Sequence, residues 1–260
     1  MKHIIYIGPS IRVKGGISTV QKQIINSRLA ADNKIFLVSS HVDGSKISKL
    51  IQAIAGLIKT ALLLVCCRID IVHIHGSDIM SSSRKYLFYK LCRCFRCKII
   101  YHFHGASFEE QYQAASTATQ KRLKVLFEGV DHVLCLSESW KQTLHGIAPS
   151  ARITVVPNGI EIPEQEDQTL SKSGVVNILF LGLIGERKGV FDLLKAFKRL
   201  LEEGLEVKLY IGGNGEISRL EEMINTYDIS QHVDFLGWVG EEQKKRLFSK
   251  SDIYALPSYG

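Results

Sequence analysis

Apolar runs that end in glycine turns alternate with helical stretches along the whole chain, and this alternation is the strongest constraint on the fold. Strand-like runs fall at 3–7, 34–39, 70–75, 98–103, 132–136 and 152–156, with helical stretches such as Ser18–Ala30 and Ser48–Cys67 between them. A second alternation begins at Val175, with strands at 176–181, 206–211, 232–236 and 252–256 and helices near 190–203, 216–227 and 241–250. Strands that are apolar throughout are buried on both faces, and the intervening helices supply the cover. The pattern therefore predicts an α/β protein built on parallel sheets.

At 260 residues the chain has room for roughly one to two domains of about 100–200 residues. Pro157-Asn-Gly159 closes the first unit, and the segment from Glu161 to Ser173 is polar, contains Pro163 and has no period. This divides the chain into a first domain at 1–160, a linker at 161–174 and a second domain at 175–260. The second is about half as long as the first. A doubly wound sheet needs two βαβαβ halves, so the second domain is expected to be incomplete at its C-terminal side.

Composition narrows the setting. Hydrophobic residues make up 45% and charged residues 23%, the balance of a soluble protein with a sizeable core. Six scattered cysteines suit a reducing cytosol. Within Cys92-Arg-Cys94-Phe-Arg-Cys97 only one pair has Cys-x2-Cys spacing, which favours free thiols over a zinc site. Met1 leads straight into a strand with no signal-peptide core, so export is not expected. Leu50 to Cys67 is the longest apolar stretch, but Gln52 and Lys59 interrupt it, and it reads as a core helix rather than a membrane span. The net charge of +7 gathers at Arg84, Lys85, Lys90, Arg93, Arg96 and Lys98, and again at Lys121, Arg122 and Lys124. Such a run is either a solvated face or a contact for an anionic membrane surface or anionic substrate. No nucleic-acid module is visible, and nucleic acid is not expected as a partner.

Several residues have the placement that chemistry needs. His73-Ile-His75-Gly76 and His102-Phe-His104-Gly105 close consecutive strands. Residues two apart share a face, and the last one before the turn reaches the carboxyl edge where ligands sit, which favours His75 and His104 over His73 and His102. A hydrogen-bonded core role is the alternative for each. Gly15-Gly16 precedes a helix, where backbone amides and the helix N-terminus favour a phosphate, although the pair is not a Gly-x-Gly-x-x-Gly fingerprint. Arg187-Lys188-Gly189 lies between a strand and a helix, and cations usually avoid helix starts. The pair is either an exposed turn or a diphosphate clamp. No Asp-x-Asp suggests a metal on a diphosphate, so no metal or cofactor is expected. Glu109 and Glu110 read as a solvated helix start rather than as a pair of glycosidase carboxylates.

Taken in order, these segments resemble the retaining glycosyltransferases of family 4. The resemblance runs the whole length and is carried by Gly15-Gly16, Asp70-Ile-Val-His-Ile-His75, Tyr101-His-Phe-His-Gly105 and Val155-Val-Pro-Asn-Gly-Ile160. It continues through Phe180-Leu-Gly-Leu-Ile-Gly-Glu-Arg-Lys-Gly189, Gly212-Gly-Asn-Gly-Glu216, Phe235-Leu-Gly-Trp-Val239 and Asp252-Ile-Tyr-Ala-Leu-Pro-Ser-Tyr-Gly260. The resemblance implies the GT-B fold, two Rossmann-like domains facing a cleft. It implies metal-independent transfer, with retention, from a nucleotide-sugar donor to a saccharide or lipid-linked hydroxyl acceptor, in the cytoplasm or at the inner membrane face.

By residue, the resemblance implies that Gly15, Gly16, Arg187 and Lys188 contact the donor diphosphate and that His104 assists transfer beside the sugar. Gly213, Glu216, Trp238 and Val239 shape the nucleotide pocket, and His75 lies on the acceptor side. In two places the chain departs from the pattern. Leu183 stands where many members carry arginine, and the family's Glu-x7-Glu element lies beyond residue 260. A nucleotide-sugar epimerase of the same fold and a truncated binding module without turnover are the alternative readings.

Overall fold

A computed structural model describes residues 1–13, 15–105, 108–160 and 174–259. The chain divides into two compact units, Met1–Ile160 and Glu161–Gly260. The expected linker lies, apart from Gly174, outside the described residues.

The first unit runs β1 (His3–Pro9), α1 (Gly16–Ile25), α2 (Arg28–Ala31), β2 (Lys34–His41), α3 (Lys46–Cys66), β3 (Ile71–Gly76) and α4 (Ile79–Cys92). It continues β4 (Lys98–Phe103), α5 (Phe108–Gln113), α6 (Thr117–Gly129), β5 (His132–Cys135), α7 (Glu138–Ile147) and β6 (Ile153–Val155). The strands form one parallel sheet in the order β2-β1-β3-β4-β5-β6. Each strand divides its residues between two faces. Ile5, Ile7, Val72, Ile74, Ile99, Tyr101, Phe103 and Val133 pack with Leu64 of α3, Phe88 and Tyr89 of α4 and Leu123, Leu126 and Phe127 of α6 in one core. Alternation places Ile4, Tyr6, His73, His75, Ile100 and His102 on the opposite face.

The second unit runs β7 (Val176–Leu181), α8 (Val190–Glu202), β8 (Val207–Gly212), α9 (Ile217–Thr226), β9 (Val233–Phe235), α10 (Glu241–Lys250) and β10 (Ile253–Tyr254). Its four parallel strands are ordered β10-β7-β8-β9 around a core of Phe180, Phe191, Leu194, Phe197, Leu209 and Ile211.

Element existence follows the sequence, whereas some boundaries shift for local reasons. The expected helix at Ser18–Ala30 starts earlier, at Gly16, and is broken after Ile25. Ser27 donates to the Ile24 carbonyl at 2.6 Å and then opens α2 in an extended conformation. The helix α3 starts at Lys46 because Ser45 caps it, its hydroxyl accepting from the Ser48 amide at 3.2 Å.

Three aspartates stand immediately before a strand and accept an amide from the first two residues of the neighbouring strand. Asp70 takes the His3 amide at 2.8 Å, Asp131 takes Ile99 at 2.9 Å, and Asp252 takes Asn177 at 2.8 Å. The His3 amide, with Lys2 and Arg68 nearby, holds the Asp70 carboxyl below the ordinary range.

The helix α3 packs through small residues. Gln52 donates to the Ser39 carbonyl at 2.9 Å, and Gly56, Thr60 and Leu64 are buried beneath it. A Cβ on Gly56 would stand 2.7 Å from the Ser39 carbonyl oxygen and 3.2 Å from the Phe88 ring. Gly56→Leu is expected to destabilise the first unit by roughly 1–3 kcal/mol through overpacking, read as a lower denaturant midpoint.

Candidate functional site

Reversals of strand order define the two places where ligands bind an open parallel sheet. In the first unit the order reverses between β1 and β3, and in the second between β7 and β10.

At the first reversal, β1 leads into the turn before α1. Gly15 caps α1 without a side chain, the first turn carries no acidic residue, and nothing among the described residues lies within 4 Å of where a Cβ on Gly15 or Gly16 would sit. Neither glycine serves internal packing, so the helix N-terminus is open to an approaching anion.

Beside it, the four histidines form one stacked array. The Cα atoms of His75 and His102 are register partners. His73 Nε2 meets His102 Nδ1 at 3.3 Å, and His75 Nδ1 meets His104 Nε2 at 2.9 Å. The His102 and His104 rings stack at 4.3 Å, and Tyr6 lies on His73 at 4.6 Å. Burial drives all four imidazoles towards the neutral form. It lowers His73 to about 3 and His102 to about 4, holds His75 well below its usual value, and with His102 nearby brings His104 to about 3.

His75 is 0% exposed, whereas His104 is only half-buried. The expectation that His75 faces an acceptor therefore changes. It lies behind His104 and holds that ring through a hydrogen bond. The Nε2 atoms of His75 and His102 are buried without a partner among the described residues. His73, His75 and His102 each offer a nitrogen within 4.8 Å of the others, but His73 and His75 stack in parallel at 4.6 Å. Zinc needs every nitrogen about 2.0–2.1 Å from one centre, so seating an ion there requires the rings to turn.

The basic run of the first unit is not one solvated face. Lys85 is buried and donates to Ser40 Oγ, which in turn donates to the Gly8 carbonyl at 2.8 Å. Burial, with Arg84 adding to it, brings the Lys85 amine down to about 7. Lys98 pairs with Asp131 at 2.7 Å. The placement of Lys85 was legible in its spacing from the inward Ser81, Ser82, Phe88 and Tyr89 of α4.

In the second unit the exit loops of β7, β8 and β9 are bonded to one another. Ile184 donates to Asn214 O at 2.7 Å, Glu216 to Ile184 O at 3.0 Å, and Gly213 to Gly237 O at 2.7 Å. Gly213 has φ +155 and lies against the Gly182 carbonyl oxygen, where a Cβ does not fit. Val239 packs on Gly212, and Trp238 beside it is exposed.

Arg187 and Lys188 lie in a 3-10 turn, Glu186–Lys188, directly before α8. Gly189 (φ +68) lets the Pro257 backbone press on this turn, Tyr259 donates its amide to Arg187 O at 3.0 Å, and Lys188 Nζ lies 3.5 Å from Ser258 Oγ. The two nearby carboxylates are occupied. Arg219 pairs with Glu186 at 2.5 Å and with Glu216 at 3.1 Å, and its guanidinium covers the Phe191 ring at 4.0 Å. Glu216 therefore braces the loop through Arg219, a residue the sequence reading passed over although it stands one helical turn on. Arg187 and Lys188 have no salt bridge among the described residues, and Leu183 beside them is exposed.

Two parallel-sheet units, each with a glycine-marked turn beside the reversal of its strand order, define an α/β protein of the doubly wound class. The profile described as Glycosyltransferase Family 4 matches residues 30–163, and that described as Glycosyl transferases group 1 matches residues 161–260. The chain belongs to glycosyltransferase family 4.

Among curated relatives, the phosphatidylinositol N-acetylglucosaminyltransferase gpi3 subunit of Schizosaccharomyces pombe is 27% identical over 200 residues, 73% of this chain and 41% of that protein. Phosphatidyl-myo-inositol mannosyltransferase of Mycolicibacterium smegmatis is 32% identical over 110 residues, 40% of this chain and 28% of that protein. The chain thus spans well under half the length of either. The catalytic domain of starch synthase IV from Arabidopsis thaliana, solved with ADP and acarbose, shares the fold with a TM-score of 0.68 at 13% identity, over 99% of this chain and 78% of that one.

Acid tests the histidine array. A histidine with a lowered folded pKa leaves the unfolded chain binding more protons, so stability falls as pH drops from about 6.5 towards 4. At pH 5, His73 and His102 are each expected to cost about 2 kcal/mol relative to neutral pH. Denaturant midpoints across pH 7 to 5 check this, and His73→Phe is expected to flatten the slope.

Proposed function

We propose that the protein transfers a sugar from a nucleotide-sugar to a hydroxyl acceptor with retention of configuration, in the synthesis of a cell-envelope polysaccharide or glycolipid. The observation that carries this reading is the Arg187–Lys188 turn at the reversal of strand order, which has no carboxylate partner among the described residues and lies beside carboxylates already taken by Arg219. Cations placed where negative charge develops stabilise a departing diphosphate without a metal ion. Arg187 offers bidentate hydrogen bonds and Lys188 a point charge. Gly15 and Gly16 add open backbone at a helix N-terminus. Gly213, Trp238 and Val239 shape the nucleotide pocket, with Glu216 bracing it through Arg219.

His104 lies beside the transferred sugar and His75 orients it. A neutral imidazole there accepts or donates a hydrogen bond to a sugar hydroxyl without adding a charge. The names of the two curated relatives, both acting on phosphatidylinositol species, support a lipid-linked acceptor handled at the inner face of a membrane.

Lys188→Ala is expected to lower kcat/KM for transfer at least about 100-fold while leaving the melting midpoint in place. Unchanged transfer removes the diphosphate role. Transfer is expected to persist in EDTA, and loss of activity on chelation would show that the leaving group needs a metal. Release of an epimerised sugar without acceptor identifies the epimerase reading, and tight donor binding without product identifies a binding module.

A further inference from the structure

The helix α3 is amphipathic in an unusual sense, because Gly56 and Thr60 are at the centre of its packed side while most of its isoleucines face out. The inward stripe, Gln52, Gly56, Thr60 and Leu64, has a spacing of four. The outward stripe, Ile47, Leu50, Ile54, Ile58, Leu62 and Val65, runs the length of the helix at helical spacing, from 71% exposed at Ile47 to 73% at Val65. The mean hydropathy of the helix's most apolar 18-residue stretch is 1.8, yet only 17% of that stretch is buried. The expectation of a core helix is therefore met on one narrow side alone. The helix does not span a bilayer in this fold, since Gly56 seats it on the Ser39 carbonyl and Leu64 joins the core.

Charge selects what covers the outward face. Across its 21 residues α3 carries Lys46, Lys49 and Lys59 and no carboxylate. The helix α4, packed beside it, also lacks Asp and Glu and exposes Met80, Leu87 and Lys90. Beyond the C-terminal end of α3, Arg68 and Arg96 line a shared depression with Leu64 and Phe95. A second copy of this chain would bring like charges together in a symmetric contact, and no carboxylate on α3 or α4 would offset them. Aliphatic side chains flanked by long cations suit the boundary between headgroups and acyl chains, where lysine stems lie along apolar surface and their ammonium groups reach anionic lipid.

We infer that α3 is an in-plane docking element for an anionic lipid bilayer, its Ile/Leu/Val stripe buried at the acyl boundary and Lys46, Lys49 and Lys59 at the phosphates. The inference does not rest on the sugar-transfer reading, because its test measures no turnover. The full chain is sedimented with vesicles of phosphatidylcholine alone or with added phosphatidylglycerol.

The wild type is expected to sediment with the anionic vesicles, and Ile54→Asp/Ile58→Asp to weaken this at least about tenfold with an unchanged melting midpoint. Lys46→Gln/Lys49→Gln/Lys59→Gln is expected to weaken the anionic preference by about fivefold per lysine. Three results would overturn the inference. The first is sedimentation that ignores the Ile54/Ile58 change, or that fails with every vesicle. The second is a melting midpoint lowered by that change, which would mean that the protein's own chain covers the face. The third is a lipid-indifferent dimer that the same change turns into a monomer.

Discussion

The hydrogen bond from an amide at the start of a strand to an aspartate before the neighbouring strand sets the register on which both units depend. Asp70 ties β1 to β3, Asp131 ties β4 to β5, and Asp252 ties β7 to β10. In a parallel sheet a slip of one residue moves every side chain to the other face. With these pins in place, His75 stands opposite His102, and the alternating Val72, Ile74, Tyr101 and Phe103 face the core. A shifted β3 would place imidazoles in the aliphatic core and isoleucines at the ligand edge.

Much of this was legible in the sequence because parallel strands are apolar throughout and end at glycine. The paired histidines at equivalent strand ends, and the Arg187–Lys188 turn before a helix, were found from position alone. Less legible was the division of labour within each group. Sequence spacing places His75 and His104 at the same edge, but only packing shows one ring behind the other. Lys85 read as part of a basic surface, since a charge run gives no sign of which member turns inward. The Ser81, Ser82 and Phe88 pattern of α4 held that sign. The length and hydropathy of α3 suggested a core helix, although its glycine and threonine at a spacing of four already marked the packed side as the small one.

The electrostatics of the units are complementary in kind. In the first unit burial removes charge, leaving four neutral imidazoles stacked together, two of them against Tyr6. In the second, Glu186 and Glu216 pair with Arg219, and neither pairs with Arg187 or Lys188 among the described residues. A dry neutral surface orients without attracting ions, whereas an open cation pair attracts anions and orients them by its fork.

The mutual bonding of the loops after β7, β8 and β9 has a thermodynamic consequence. Ile184, Gly213 and Glu216 already have their amides engaged with neighbouring loops. A ligand arriving at that edge meets backbone whose conformational freedom was surrendered when the unit folded, and association there draws little on the entropy of chain ordering. Discrimination among ligands then falls to a rigid outline rather than to a closing loop.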